Sequence, residues 1–144
     1  MRKFLLCMAI IIAVVGIVRF VSVPYVVPPK IVSIGTLRVR ADVATDVISR
    51  ERGLSRRTEL GAGEGMLFVF EVPGVQLFWM KEMNFPIDIV WIDEQKKIVG
   101  VTERAEPGSY PSAFSSVYPV RYVLEIGAGE FAASGARVGS VVTF

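Results

Sequence analysis

Asp88 is the carboxylate with most to explain. It interrupts Ile87, Ile89, Val90, Trp91 and Ile92, so on either face of a strand its neighbours are apolar. A carboxylate in such surroundings is costly unless paired or hydrogen-bonded. Lys81, or one of Arg52, Arg56 and Arg57, carries the charge to pair it. Two readings follow. One is a buried ion pair fixing a strand pair to a helix; the other is a hydrolase-type acid–base pair of Asp88 and Lys81, with Glu82 or Glu51 in support, acting on a glycan.

Two tryptophans complete a candidate binding or ion-pair cluster of Arg52, Arg57, Trp79, Lys81, Asp88 and Trp91. On a strand, Phe78-Trp79-Met80-Lys81 sends Phe78 and Met80 to one face, Trp79 and Lys81 to the other. Trp79 and Trp91 are either core or the wall of a groove beside Lys81, a combination suited to a sugar or an anionic ligand. Arg50, Arg52, Arg56 and Arg57 either grip an anion or form a solvated face paired with Glu51 and Glu59. Ser55 and Ser115-Ser116 lack a base, so no nucleophilic catalysis is expected and no catalytic residue is assigned.

Absences close off much chemistry. There is no histidine, and Cys7, the single cysteine, lies in a hydrophobic stretch. Ser-His-Asp triads, His- or Cys-ligated zinc and internal disulfides are excluded. The Asp/Glu spacing matches no EF-hand, so no metal and no cofactor is expected. The formal charge of +2 arises at the N-terminal end: residues 34–144 hold 12 Lys/Arg against 14 Asp/Glu, which argues against nucleic acid as a partner.

These groups must be positioned by one domain, all that 144 residues allow. Leu37 to Val43 alternates as a half-buried strand, and Thr45 caps a short helix from Asp46 to Arg52 that Gly53 stops. Residues 65–70 and 75–80 are aromatic, β-branched runs parted by Pro73-Gly74, the signal of a hairpin. Residues 87–93 and 97–101 predict a second hairpin. Residues 105–119 form a loop, residues 121–126 and 138–144 closing strands, and residues 129–135 a helical turn. The expected fold is mainly β: a compact jelly-roll-like sandwich or barrel with one or two short helices, preceded by an N-terminal hydrophobic helix.

Met1-Arg2-Lys3 and the uncharged run Phe4 to Val18 read as a signal anchor over residues 1–23, with residues 24–33, containing Pro24, Pro28 and Pro29, as a Pro-rich linker to a domain at 34–144. No A-x-A-like cleavage site follows, which favours retention over a cleaved, secreted or periplasmic product. The basic N-terminus orients the chain with that end cytoplasmic and the domain outside. The membrane is thus an expected partner.

Glu51-Arg52-Gly53-Leu54, Arg57, Leu60, Gly65-Met66-Leu67-Phe68-Val69-Phe70, Phe78-Trp79-Met80-Lys81, Pro86-Ile87-Asp88-Ile89 and Trp91-Ile92-Asp93 come in an order that resembles the bacterial and archaeal domain of unknown function family 192. Tyr122 to Ile126, Ala128-Gly129 and Val138 to Val142 continue it, so the resemblance covers nearly all of residues 37–144. It implies a jelly-roll-like sandwich, often exported, with no established activity. The family often has Lys-Asn-Thr where Lys81-Glu82-Met83 stands, a methionine at Ser55, and in some members cysteines after the Ala105-Glu106-Pro107 position. Roles of those groups do not carry over. The functional expectation is a membrane-anchored extracytoplasmic module binding an envelope glycan, anionic ligand or protein. The alternatives are the Asp88/Lys81 hydrolase and an envelope assembly or stability factor.

Overall fold

The computed structural model describes residues 27–144, and the hydrophobic N-terminal segment lies outside them. The chain is mainly β. Eight strands are β1 (Lys30–Ile34), β2 (Leu37–Ala44), β3 (Glu64–Gly74), β4 (Leu77–Trp79), β5 (Ile87–Ile92), β6 (Ile98–Ala105), β7 (Ala113–Ser115) and β8 (Val120–Gly127). Two short helices are α1 (Val47–Arg52) and α2 (Glu130–Ala133). Among the described residues no helix is long and apolar enough to cross a membrane.

Six strands form one sheet in the order β1-β2-β3-β8-β5-β6; β4 and β7 form a second, two-stranded one. Every neighbouring pair is antiparallel except β2 and β3. That parallel pair requires a crossover, which carries α1. Gly35 makes the tight β1–β2 turn at φ 54°, where a Cβ would also lie 2.2 Å from the Ser134 carbonyl oxygen. Lys30 to Ser33, read as linker, are thus the first four residues of a strand.

The sheet is covered on both faces, so all six residues of β5 are buried. One core holds Val32, Ile34, Leu67, Val90, Leu124 and Ile126 against Phe131 of α2 and Val142. The other holds Leu54, Met66, Phe68, Ile89, Trp91 and Val123, with Phe78 of β4 and Phe114 of β7 packed on it.

Three expectations are corrected. Residues 65–70 and 75–80 form no hairpin: β3 runs through Pro73-Gly74, both its edges are taken by β2 and β8, and β4 pairs with β7 inside the supposed loop. Asp46, not Thr45, caps α1: its carboxylate accepts the Ser49 amide at 2.9 Å while Ser49 Oγ accepts the Asp46 amide at 3.3 Å. Finally, the barrel does not close, and residues 138–144 form no strand. They straddle the open sheet's two ends instead, Thr143 bridging Ser33 of β1 and Val141 bridging Lys97 before β6.

Candidate functional site

The crossover between β2 and β3 builds one wall of a groove. None of α1's residues is buried, and the loop after it is laced to the loop after β4. Ser55 Oγ donates to the Lys81 carbonyl at 2.9 Å, the Arg56 amide to the Glu82 carbonyl at 2.8 Å, and Asn84 Nδ2 to the Arg57 carbonyl at 2.7 Å. Arg56 and Glu82, both at positive φ, close this seam with a two-pronged ion pair of 2.6 and 3.1 Å. Hydrogen bonding to Arg56 holds the Glu82 carboxyl below its usual range.

Between α1 and β4 lies an inner cavity of about 230 Å³ that opens outward past Glu51, Arg52, Ser55 and Trp79 to Lys81 and Glu82. Phe68 and Phe78 stand in its wall, edge to face at 4.9 Å. Arg50 leans over the Phe70 ring at 5.1 Å and donates to the Val69 carbonyl at 3.1 Å. Trp79 is 53% exposed and borders the inner and outer parts alike.

Of the six residues singled out in the sequence, the fold brings Arg52, Trp79 and Lys81 together along this groove. Arg57 lies nearby, its guanidinium on Asp42 of β2 at 2.8 Å. Arg56 and Arg57 therefore pair with Glu82 and Asp42 rather than with Glu51 and Glu59, while Arg50 donates to backbone carbonyls. Trp91 is core, 3% exposed, edge to face with Phe78 at 5.5 Å and donating from Nε1 to Thr102 Oγ1 at 3.2 Å.

Asp88 stands apart from the groove. It is fully buried and meets no cation among the described residues. Oδ1 accepts the Arg104 amide at 2.8 Å, and Oδ2 accepts the Gly129 and Phe131 amides at 2.9 and 3.0 Å. Three backbone N–H groups do what an ion pair was expected to do, pinning β5 to β6 and to the first turn of α2. With Asp88 sealed on the α2 side and Lys81 in the groove's outer wall, no Asp88/Lys81 acid–base pair is assembled.

Sequence reasoning overlooked Glu125. It lines the inner cavity from β8, is 5% exposed, and its Oε2 is fully buried with no hydrogen-bond partner among the described residues. Cross-strand register puts Asp42, Met66, Glu125 and Ile89 in one row on one face. Burial pushes the Glu125 carboxyl up to about 8, against the nearby positive charge of Arg57, so it holds its proton at neutral pH. The signal was the one that exposed Asp88, a carboxylate inside an apolar run, here Tyr122-Val123-Leu124-Glu125-Ile126. Among the described residues no cluster of His, Cys, Asp and Glu is suited to hold a metal.

Comparison with known proteins gives relatives without an assigned biochemistry. No curated protein matches. A crystal structure of a protein of unknown function from Novosphingobium aromaticivorans superposes with a TM-score of 0.76 at 28% identity, covering 81% of this chain and 85% of that one. Another, of a suggested transcription regulator from Sinorhizobium meliloti, gives 0.75 at 30% identity over 81% of this chain and 95% of that one. The profile of DUF192, described as "Uncharacterized ACR", matches residues 30–144 from β1 to the last residue, and the chain therefore belongs to the DUF192 family.

Proposed function

We propose that this chain is a membrane-anchored extracytoplasmic binding module whose ligand, an envelope component, sits in the groove between α1 and β4. One observation carries the reading: the groove sets the half-exposed indole of Trp79 beside Arg52 and Lys81, above a cavity whose wall mixes aromatic rings with charged groups. A half-exposed indole beside two cations offers a surface for a ligand with a flat apolar face and anionic or polar groups. The anchor and the outward orientation rest on the N-terminal charge and hydropathy pattern. In the same reading the β4–β7 ribbon over the main sheet makes the domain jelly-roll-like.

Two other roles have less behind them. An acid–base hydrolase built on Asp88 and Lys81 has its Asp88 carboxyl enclosed on the α2 side, away from the groove that Lys81 lines. Regulation of transcription, the role suggested for the Sinorhizobium relative, would need a basic surface, and residues 34–144 carry two more acidic than basic groups.

The full chain in detergent micelles, titrated with peptidoglycan fragments, neutral glycans and anionic lipid, tests the proposal through tryptophan emission. At least one probe is expected to shift the emission of the wild type and not of an Arg52→Ala/Lys81→Ala variant. Equal responses of the two proteins to every probe would count against it.

A further inference from the structure

We infer that Glu125 is the recognition residue at the floor of this groove and that its carboxyl group takes a hydroxyl of a sugar ring. The inference rests on the reading of the groove as a ligand site and names the class of ligand.

Four features of the cavity select that class. First, Glu125 lines the cavity while only 5% exposed, and its Oε2 has no hydrogen-bond partner among the described residues. An acyl chain or other wholly apolar occupant would leave it unpaired, while a polar one satisfies it. Second, a carboxyl that keeps its proton offers one donor and spare acceptors. A single hydroxyl, itself donor and acceptor, matches it.

Third, Arg50 and Arg52 outweigh Glu51 in the cavity lining and the charge of Arg57 reaches the carboxyl, so a cationic ligand is opposed. Fourth, Trp79 at the mouth presents a flat ring on which the C–H face of a sugar can lie. The cavity, about 230 Å³, falls below the roughly 300–1,000 Å³ of pockets for drug-sized ligands. One ring fits inside, and the rest of an oligosaccharide would run outward past Trp79 and Lys81.

The test titrates the full chain in detergent micelles with short N-acetylglucosamine oligomers, glucuronic-acid oligomers and anionic lipid vesicles, by calorimetry. Wild type, Glu125→Leu, Glu125→Gln and Trp79→Ala are compared. Leu removes a desolvated polar group, so this variant is expected to fold; thermal unfolding checks that. A saccharide should bind the wild type and Glu125→Gln, whose amide also donates and accepts, and bind Glu125→Leu about tenfold or more weakly. Trp79→Ala should weaken it too.

Saccharide binding that Glu125→Leu leaves unchanged would overturn the inference while the groove stands. So would lipid binding, lost in Trp79→Ala, with no saccharide bound. If no probe binds, the reading of the groove falls with it.

Discussion

Asp88 on β5 and Glu125 on β8 lie one residue out of register, Ile89 being the true cross-strand partner of Glu125, so the two buried carboxyl groups point to opposite faces of the sheet. One meets three backbone N–H donors beneath α2. The other meets none and borders a cavity. The same residue chemistry on neighbouring strands is thereby split into a structural clasp and an unsatisfied, proton-holding group.

Asp88→Ala is expected to destabilise the fold by about 3 kcal/mol, because it takes the acceptor from the backbone amides of Arg104, Gly129 and Phe131 together. Asp88→Asn, keeping one acceptor oxygen, should cost less. Urea unfolding at neutral pH reads both, and a loss below about 1 kcal/mol for the alanine variant would contradict the clasp.

Glu125 gives stability a pH dependence with a definite sign. Its carboxyl titrates near 4.5 in the unfolded chain and about 8 in the folded one, so between those values the folded state holds the extra proton. Its contribution is whole below the lower value, declines as pH rises through the window, and is lost above the upper one. The decline is about 1.4 kcal/mol for each unit of pH. Glu125→Gln should flatten that slope and be the more stable protein at the alkaline end; unfolding curves collected across the window would show parallel slopes if the idea is wrong.

Much of this was legible in the sequence where the signal was local. The alternation of Leu37 to Val43, the β5–β6 hairpin and the helical turn after Gly129 all depend on neighbours in the chain, and all formed. Pro73-Gly74 misled because the partners of β3 lie far away in sequence, and they had already filled both its edges. Pro28-Pro29 bars a helix but does not bar a strand from starting at Lys30. In the site, Trp79 and Lys81 both line the outer groove, but Lys81 lies beyond the end of β4 and Phe78 lines the inner cavity, so strand parity alone does not separate groove from core. Nothing local told Asp88 from Glu125, since the donors that satisfy Asp88 come mostly from α2, more than forty positions on.

The last residues act as a tie between the two ends of an open sheet. The Thr143 and Ser33 backbones exchange hydrogen bonds, the Val142 amide donates to Lys96, Gly139 donates to Ile98, and the Val142 side chain is fully buried. Deleting residues 139–144 is expected to lower Tm by at least about 5 °C and to bare the edges of β1 and β6. Exposed edges pair with other chains, so scattering should rise with concentration. An unchanged Tm for the shortened chain would show the tie to be dispensable.

The two tryptophans should behave as opposites. Trp91 is enclosed by Phe78 and the β5–β6 pair, so Trp91→Ala removes a large buried ring and should cost about 3–5 kcal/mol. Trp79 stands half in water at the groove mouth, and Trp79→Ala should change stability by no more than about 1 kcal/mol while removing the flat surface proposed for the ligand. Iodide separates them without any ligand. Trp91→Phe leaves Trp79 as the emitter and should be quenched readily; Trp79→Phe leaves Trp91 and should resist. A Trp79 that iodide cannot reach would mean the groove is closed in solution, and with it the site on which the proposed binding depends.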